Sequence, residues 1–287
     1  GRRPPPGGLG ADQPRRGGGG LMGSSTGTRL DPILADVAER ARQRRRLQSL
    51  EALRAGAVPD PARGQRFLGG LGAAGLSIIA ECKRRSPSAG QLSTETDLPA
   101  RAEAYSRGGA RALSVLTEQD HFGGDPEDLL AVESAGLPRL RKDFLLDEAM
   151  VLESMAMGAD AVLLLAVCLP DPLLGELLEV ARAQGLAALV EVHDEPELER
   201  ALACGADCVG VNARDLKTFE VDLARTEQLL PKIPSGVLSV AESGLRSLSD
   251  LQRVVHAGAD AALVGEALMR ASDPQATLAG WMEGLQP

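Results

Sequence analysis

Short apolar runs alternate with longer segments of helical spacing along the chain from residue 77 onwards. A strand that is buried on both faces is a continuous apolar run, whereas a helix repeats its apolar residues every three to four positions. The alternation is clearest in four near copies of one phrase, at residues 109–113, 158–162, 205–209 and 258–262. The copies are separated by 49, 47 and 53 residues, which leaves room between them for one further strand and helix. Each copy is typical of a loop that ends a helix on Gly and enters an apolar strand.

This repeat predicts eight strands and eight helices in strict alternation. The four strands outside the repeat are predicted at residues 78–83, 138–143, 187–192 and 237–241. The helices are predicted at residues 98–107, 126–134, 147–157, 172–184, 195–203, 223–230, 248–256 and 274–283. Eight such units are typical of a (β/α)8 TIM barrel, which we place at residues 77–287. An open doubly wound sheet is the alternative, but it usually carries a Gly-rich phosphate turn after its first strand, and this sequence lacks that turn.

The part of the chain before the barrel predicts a disordered segment and then an additional N-terminal helical extension. Residues 1–28 are rich in Gly, Pro and Arg and almost devoid of apolar side chains, so they cannot bury enough surface to order themselves. They also lack the apolar segment of a secretory signal. Residues 29–76 contain a helix with Asp31 as its N-cap, a second shorter helix around Ser49, and a connector. The glycine pattern at 70–75 precedes a strand instead of following one, so it is interpreted as a flexible connector and not as a dinucleotide site.

Charge and composition exclude several classes of function. Residues 1–66 hold 13 Arg against 6 acidic residues, whereas the rest of the chain holds 18 Lys and Arg against 34 acidic residues. The net charge of −9 therefore belongs to an acidic body, which argues against nucleic acid as a partner. No apolar run approaches the length of a membrane span. The basic stretch 40–46 is interpreted as a solvated helix face, with docking over an anionic substrate as the alternative.

The cysteines and histidines predict no metal site. The four cysteines lie in apolar or strand-like segments and form no paired framework, which fits a reducing cytoplasm. Cys204 and Cys208 have the spacing of half a zinc site, but no second half follows. The three histidines share no metal spacing, and His193, the one nearest a strand end, is interpreted as a bystander.

The segment 77–90 carries the first pair of catalytic candidates. Its apolar run ends in Glu81 and Lys83, and because strand side chains alternate, both point to the same side. A barrel keeps its catalytic groups at the C-terminal ends of its strands. A surface ion pair is the alternative for an isolated Glu-x-Lys, so the assignment depends on the other strands.

Further polar candidates follow the first predicted strand and the ends of other strands. They are Ser86 after the first strand, Lys142 and Phe144 after the third, Glu191 after the fifth, Asn212 and Arg214 after the sixth, Glu242 and Ser243 after the seventh, and Gly265 and Glu266 after the eighth. Three Glu and two Lys would meet at one mouth, where mutual fields and partial burial shift pKa values. Because unpaired buried charge is costly, a barrel without a function has little reason to gather five charges there.

Two further features predict an anionic, aromatic ligand. Ser243-Gly244 and Gly265-Glu266 follow the two strands after which such barrels bind phosphate, through backbone N–H groups and a helix N-terminus. Ordinary tight turns are the alternative. Phe144, one of only four Phe in the chain, is placed to stack on an aromatic ring, with core packing as the alternative.

Seven segments, in order, surround this polar set. They are Ile-Ala-Glu-Cys-Lys-Arg-Arg-Ser-Pro-Ser at 79–88, Ser-Val-Leu-Thr at 114–117 with Phe-Gly-Gly at 122–124, Leu-Arg-Lys-Asp-Phe at 140–144, Leu-Val-Glu-Val at 189–192, Gly-Val-Asn-Ala-Arg-Asp-Leu at 210–216, Val-Ala-Glu-Ser-Gly at 240–244 and Leu-Val-Gly-Glu-Ala-Leu-Met at 263–269. In these segments the chain resembles the indole-3-glycerol phosphate synthase family, from residue 31 to the C-terminus. The resemblance implies a (β/α)8 enzyme of tryptophan biosynthesis that needs no metal or organic cofactor.

The reaction that the resemblance implies is ring closure of 1-(2-carboxyphenylamino)-1-deoxyribulose 5-phosphate, with loss of CO2 and water. Lys142 is then the general acid at the ketone oxygen, and Glu191 the general base that takes a ring proton, although the acid and base of the second step stay open. Lys142 is expected to lose its proton near neutral pH, because Lys83 and partial desolvation lower its pKa. The other implied roles are Lys83 on the substrate carboxylate and at the departing hydroxide, Glu81 and Glu242 as partners of the lysines, Asn212 on the developing hydroxyl, Phe144 on the anthranilate ring, and Ser243, Gly244, Gly265 and Arg214 on the phosphate.

Four positions depart from the family pattern. They are Ala213 in place of a second Asn, Glu118 in place of Asp, His121 in place of an aromatic residue and Glu266 in place of Ser. At the last phosphate loop the backbone N–H of Gly265 or Glu266 can still bind, but the Glu266 side chain must turn away. The departures bear on substrate affinity more than on the chemistry, because every matched ionisable position is kept.

Two other functions remain as alternatives. A phosphoribosylanthranilate isomerase or another phosphosugar barrel would want a Cys base at the end of the first strand, but Cys82 faces away from Glu81 and Lys83. A non-catalytic barrel that binds a metabolite or partner would not need charges at all five mouth positions. The chain is expected to act on a small anionic phosphosugar-anthranilate substrate, as a monomer or weak homodimer.

Overall fold

Eight parallel strands close into a barrel in the computed structural model, which describes residues 26–86, 90–91 and 97–286. The strands are β1 (Ser77–Cys82), β2 (Arg85–Ser86), β3 (Gly90–Gln91), β4 (Ala112–Leu116), β5 (Arg139–Lys142), β6 (Ala161–Leu165), β7 (Ala187–Val192), β8 (Cys208–Asn212), β9 (Leu238–Glu242) and β10 (Ala261–Val264). β2 and β3 form a separate antiparallel pair, and the others close in the order β1-β10-β9-β8-β7-β6-β5-β4. The predicted barrel is confirmed, and the four strands predicted outside the repeat are placed to within one residue at each end.

Helices follow the barrel strands and precede β1. They are α1 (Asp31–Leu47), α2 (Leu50–Gly56), α3 (Pro61–Leu71), α4 (Leu98–Arg107), α5 (Asp128–Ala131), α6 (Glu148–Ala156), α7 (Asp171–Ala183), α8 (Glu195–Ala203), α9 (Leu223–Leu229), α10 (Leu248–His256), α11 (Glu266–Arg270) and α12 (Pro274–Gly284). The sequence pattern predicted α1, α2 and the eight barrel helices but missed α3 and α11. Residues 1–25, which make up most of the predicted disordered segment, lie outside the described residues.

Helix α3 packs across the N-terminal ends of several barrel strands. The side chain of Asp60 caps its first turn, and the backbone N–H of Gly64 donates to the carbonyl of Gly185 (2.8 Å). A Cβ at Gly64 would lie 2.7 Å from the backbone nitrogen of Ala187, at the start of β7. Only glycine therefore lets the helix come this close to the barrel.

The connector predicted at residues 70–75 is wrong at its first two positions, which belong to α3. Phe67 and Leu71 are fully buried on this helix. Glycine lowers intrinsic helix propensity by about 1 kcal/mol per residue, which made the segment look like a connector. Burial of Phe67 and Leu71, at roughly 1.5–3 kcal/mol for each large apolar side chain, outweighs that cost.

Asp31 does not cap α1 as predicted. The N-cap is Leu30, and Asp31 is the first helical residue. Its carboxylate accepts hydrogen bonds from the backbone N–H (2.8 Å) and the hydroxyl (2.7 Å) of Thr26. The aspartate therefore holds the turn that leads into the helix instead of closing the first helical turn.

Most of the basic face of α1 docks on the barrel, so the predicted solvated face is wrong at three of its arginines. Arg40 pairs with Glu118, Arg44 with Glu153 and Arg45 with Asp147. The Glu118 side chain is fully buried, and it also accepts hydrogen bonds from three backbone N–H groups of the loop after β4. These ion pairs hold α1 against the barrel, with its apolar face underneath.

The register of the barrel sets which side chains meet at its mouth. The paired residues are Glu81 with Ser114, Glu191 with Gly210, and Asn212 with Glu242. Five of the eight barrel strands, β1, β4, β6, β8 and β10, are buried at every position. Charged residues at the strand ends are therefore held by a rigid apolar cylinder.

Candidate active site

A cavity of about 180 Å³ lies at the C-terminal mouth of the barrel. Twelve of the thirteen predicted site residues line it, namely Glu81, Lys83, Lys142, Phe144, Glu191, Asn212, Arg214, Glu242, Ser243, Gly244, Gly265 and Glu266. The thirteenth, Ser86, lies in β2, and its side chain is outside the described part of the chain. The structure thus brings the predicted set together on one space.

Lys142, at the end of β5, stands between two carboxylates. Its Nζ lies 3.2 Å from Oε2 of Glu191 and 3.4 Å from Oε2 of Glu242. Burial alone would lower the pKa of Lys142, but the charges of Glu191, Glu242 and Glu81 outweigh it and raise the pKa above its ordinary value. The expectation that this pKa falls toward neutrality is therefore wrong for the free protein. The negative charges of the three acids outweigh the burial on which the expectation relied.

Glu191, on β7, is held by three side chains. Besides Lys142, it contacts Asn212, whose Nδ2 donates to Oε1 (2.8 Å), and His193, whose Nε2 lies 3.3 Å from the same oxygen. Burial would raise the pKa of Glu191, but the positive charge of Lys142 and the contacts with His193 and Asn212 lower it below the ordinary range. Glu191 is therefore ionised at neutral pH.

Glu242, on β9, has the opposite protonation preference. Burial, together with the negative charge of Glu191, raises the pKa of Glu242 to about 8, although Lys142 acts against this. A Cβ on Gly210, in the neighbouring strand β8, would collide with the Glu242 carboxylate. Glycine at this position of the Gly-Val-Asn segment therefore leaves the space that Glu242 occupies.

Lys83 and Glu81 form a second ion pair at the mouth. Both side chains are largely buried, and they come from the end of β1. A Cβ on Gly265 would collide with the Glu81 carboxylate and lie 2.9 Å from the Lys83 Nζ. Gly265, predicted only as a phosphate ligand, thus also leaves room for this pair.

The turn after β9 has the backbone of an anion site. Ser243 and Gly244 both have positive φ values, 67° and 78°. The left-handed region is uncommon for a serine, and such strained residues concentrate at functional sites. Arg214 lines the same cavity and donates from a guanidinium N–H to the carbonyl of Phe219 (3.2 Å). This strained turn and Arg214 therefore line the same cavity, where a phosphate was predicted.

Helix α11 starts beside this turn. Its first residue, Glu266, pairs with Arg270 one turn later (3.1 Å). The predicted rotation of the Glu266 side chain away from an anion is consistent with this pairing. Arg246 also lines the cavity, and sequence reasoning missed it because it lies two residues beyond the matched segment.

Two phenylalanines form an aromatic wall of the cavity. Phe144 and Phe122 have ring centroids 6.1 Å apart with an interplanar angle of 46°. Leu30 and Ile33, from the start of α1, line the cavity as well. An apolar aryl ring would therefore meet both the barrel and the N-terminal extension.

Sequence reasoning missed His193 as a neighbour of the site. Strand alternation was the available signal, because His193 lies two residues after Glu191 and so on the same side. Cys82, by contrast, faces away as predicted: it is fully buried and does not line the cavity. Burial raises the pKa of the Cys82 thiol to about 12, which is unsuited to a base at neutral pH.

Two kinds of feature are absent from the described ranges, 26–86, 90–91 and 97–286. None of the helices there combines the length and the apolar character needed to cross a membrane. No three His, Cys, Asp or Glu side chains in those ranges are grouped as ligands of a metal ion.

Comparisons with known proteins agree with the geometry. The family model of indole-3-glycerol phosphate synthase matches residues 30–280. A protein of that name from a Parafrankia species is 51% identical over 249 residues, covering 86% of this chain and 90% of that protein. One from Mycolicibacterium smegmatis is 45% identical over 258 residues, covering 89% of this chain and 94% of that protein.

Solved structures show likeness at the level of the fold. 3-Hexulose-6-phosphate synthase superposes with a TM-score of 0.58 at 17% identity, over 74% of this chain and all of that one. Thiamine phosphate pyrophosphorylase from Pyrococcus furiosus gives a TM-score of 0.55 at 18% identity, over 73% of this chain and 95% of that one. At such identities the likeness concerns the barrel and says nothing of the reaction.

Proposed function

The chain belongs to the indole-3-glycerol phosphate synthase family, and from this premise we propose which side chains carry each step of the reaction. In 1-(2-carboxyphenylamino)-1-deoxyribulose 5-phosphate, the ring carbon that bears the carboxylate bonds to the ketone carbon. CO2 then leaves, and the ketone oxygen departs as water when the indole double bond forms. The observation that carries the proposal is the convergence of Lys142, Glu191 and Lys83 on one cavity, which the strained turn at Ser243 and Gly244 also lines.

Lys142 acts as the general acid in ring closure. Its raised pKa keeps the ammonium protonated before the substrate arrives. As the ring carbon attacks, the ketone oxygen becomes an alkoxide, which is far more basic than the carboxylates that hold Lys142, so it takes the proton. Glu242, whose carboxyl group lies 3.4 Å away and has a raised pKa, is placed to return a proton to Lys142.

Lys83 binds the substrate carboxylate until CO2 leaves. Glu81 orients the Lys83 ammonium through their ion pair, and the absence of a side chain at Gly265 leaves space for both residues. When the carboxylate is gone, Lys83 is free to give its proton to the departing hydroxide. A lysine serves here because its ammonium is a mobile point charge.

Glu191 takes the proton from the carbon next to nitrogen in the new five-membered ring, which completes the indole. It is ionised in the free protein and oriented by Asn212. The backbone N–H of Arg214 donates to the Asn212 oxygen (2.9 Å), which fixes the orientation of the amide. Of the two N–H groups of Asn212, one donates to Glu191, and the other remains for the developing hydroxyl.

The remaining predicted residues bind the two ends of the substrate. Ser243, Gly244 and Gly265 supply backbone N–H groups to the phosphate, and Arg214 adds charge. Phe144 packs on the anthranilate ring. Ser86 and the backbone N–H of Glu266 complete the set as predicted ligands.

Several properties of the whole protein belong to the same proposal. We propose a cytoplasmic monomer or weak homodimer that binds no nucleic acid. Light scattering across a hundredfold concentration range tests the oligomeric state. A gel-shift experiment with duplex DNA at low salt tests the absence of nucleic-acid binding, and a shifted band there would contradict it.

The decisive experiment is a direct assay. The purified protein is incubated with the open-chain anthranilate substrate while indole fluorescence and released CO2 are measured together. Equal amounts of both products are expected, and Lys142→Ala provides the blank. If neither product forms with folded protein, the proposed function is wrong.

A further inference from the structure

His193 stands between two carboxylates at the end of β7. Its backbone N–H donates to Oε2 of Glu197 (2.8 Å), and its ring Nδ1 lies 3.0 Å from the same oxygen. On the other side of the ring, Nε2 lies 3.3 Å from Oε1 of Glu191. His193 is 8% exposed and does not line the cavity, so its ring contacts Glu191 and lies outside the space in which a substrate would bind.

The protonation state of this ring follows from its two neighbours. A neutral imidazole has one N–H and one lone pair, so it would direct a lone pair at one of the two carboxylates. Only the imidazolium places a positive charge, and no lone pair, against both carboxylates. The contact with Glu191 is an ion pair whose direction falls outside hydrogen-bond geometry, and the contact with Glu197 is a hydrogen bond.

The surrounding charges favour the same state. Burial would lower the pKa of His193, but Glu191 and Glu197 raise it to about 10. Beyond Glu191, the nearest cation of the site is Lys142, which lies on the other carboxylate oxygen. Cys168, in the turn after β6, also faces this group, and burial with the charges of Glu191 and Glu197 raises the pKa of its thiol, so it stays neutral.

We propose that His193 is a positioning residue for Glu191: anchored by Glu197, its imidazolium orients the Glu191 carboxylate and keeps it deprotonated. This inference rests on the proposed role of Glu191 as the general base. Glu197 lies in the first turn of α8, where its own backbone N–H donates to Asp194 (3.0 Å). Glu197 therefore belongs to a capped helix, which fixes its position. Through His193, it also fixes the position of the Glu191 carboxylate.

The first test measures the ring itself in the wild-type protein. Nitrogen NMR of 15N-labelled histidine at pH 8 distinguishes an imidazolium from a neutral ring. His121→Gln and His256→Gln assign the signals by removing the other two histidines of the chain. One imidazolium that persists to about pH 9 is expected. A neutral His193 ring at pH 8 would overturn the proposal, whatever the variants do.

The second test uses His193→Gln, with His256→Gln as the matched control because His256 is exposed on α10. We expect kcat to fall by roughly tenfold or more at nearly unchanged KM, the equivalent of at least one pKa unit of lost interaction. We also expect kcat to begin its acid decline at a higher pH, because Glu191 without the imidazolium binds a proton more easily. An unshifted acid limb would reduce His193 to a structural residue and contradict the inference.

Glu197→Gln separates anchoring from folding. This substitution keeps the size of the side chain but removes its negative charge, so the His193 imidazolium should lose its proton at lower pH. The acid limb of kcat should shift to higher pH, as in His193→Gln. No change in either measurement would contradict the anchor. If wild-type protein makes no indole while its imidazolium is present, the proposed function fails and the ring assignment stands, so the two failures are distinguishable.

Discussion

The Lys142 ammonium lies 3.2 Å from the Glu191 carboxylate, so the proposed general acid and general base form an ion pair before the substrate binds. Each charge stabilises the other, which leaves the acid loaded with its proton and the base free of one. These are the states that each residue needs at the start of its own step. The site therefore sets its protonation by mutual contact instead of by matching pKa values to the surrounding pH.

Lys142→Ala should abolish turnover and leave substrate binding largely intact. The ammonium is the proposed proton donor to the ketone oxygen, and general acids typically contribute a factor of about 10²–10⁴ in rate. Rapid-quench turnover gives kcat, and fluorescence titration with a reduced, unreactive substrate analogue gives the affinity. Lys232→Ala is the matched control, since Lys232 is half exposed and pairs with Glu195 outside the cavity. A variant with wild-type kcat would remove Lys142 from the role.

Glu191→Gln should lower kcat more than it raises KM. The amide keeps the shape of the side chain and its contact with Asn212 but cannot accept the proton that completes the indole. The single-turnover rate should show ring closure still occurring, with a dehydration step slower by about 10²-fold or more. Glu176→Gln, at an exposed position of α7, is the control. If kcat is unchanged, the base lies elsewhere.

Much of this arrangement could be predicted from the sequence, because a barrel strand is buried on both faces and its side chains alternate. Periodicity therefore located the eight strands, and alternation separated Lys142 and Phe144 from Arg141 and Asp143. The last two pair with each other at 2.9 Å, although Asp143 also lines the cavity. The charges of the mouth could be assigned in this way without knowing any distance.

What the sequence could not predict depends on distances across the barrel. The pKa of Lys142 rises because strands β5, β7 and β9 bring two acids within 3.5 Å of it, and no spacing along the chain states that separation. His193 was dismissed because a histidine in isolation has no visible partner, and its partners come from the strand before it and the helix after it. Helix α3 was missed because its glycines favour a loop unless the barrel packs against them.

Gly265→Ala should impair catalysis without unfolding the protein. The new Cβ collides with the end of the Glu81 side chain and approaches the Lys83 ammonium, and both are flexible enough to move aside. The pair is then displaced from the position that binds the substrate carboxylate. Because misplacement by about 1 Å can cost roughly a hundredfold in rate, we expect kcat/KM to fall by at least about tenfold while the melting temperature changes little.

Gly175→Ala is the control for this substitution. Gly175 lies within α7, and a Cβ there meets no atom within 4 Å. The same chemical change should leave kcat/KM unchanged and raise stability by up to about 1 kcal/mol, because alanine has the higher helix propensity. Equal activities of the two variants would show that the space beside Lys83 is not required.

The stability of the protein should depend on pH through His193. Its pKa in the folded state, about 10, lies above its ordinary value of 6.5, so the folded protein holds this proton more tightly than the unfolded chain. The stabilisation is fully present below about pH 6.5, and it is lost as the pH rises through about 10. Urea unfolding of the wild type and of His193→Gln at pH 6 and pH 10.5 measures it.

The difference in unfolding free energy between these two proteins should shrink with rising pH by up to about 5 kcal/mol, since the pKa moves from 6.5 to about 10 and each pKa unit corresponds to about 1.4 kcal/mol. Groups that contact neither His193 nor its two partners are present in both proteins and cancel in the difference. His256→Gln is the control, because His256 is exposed on α10 and does not line the cavity. If the difference in unfolding free energy between the wild type and His193→Gln stays constant from pH 6 to 10.5, the His193 ring is neutral in the folded protein. Lys142 would then be the single cation in contact with the Glu191 carboxylate among the described residues.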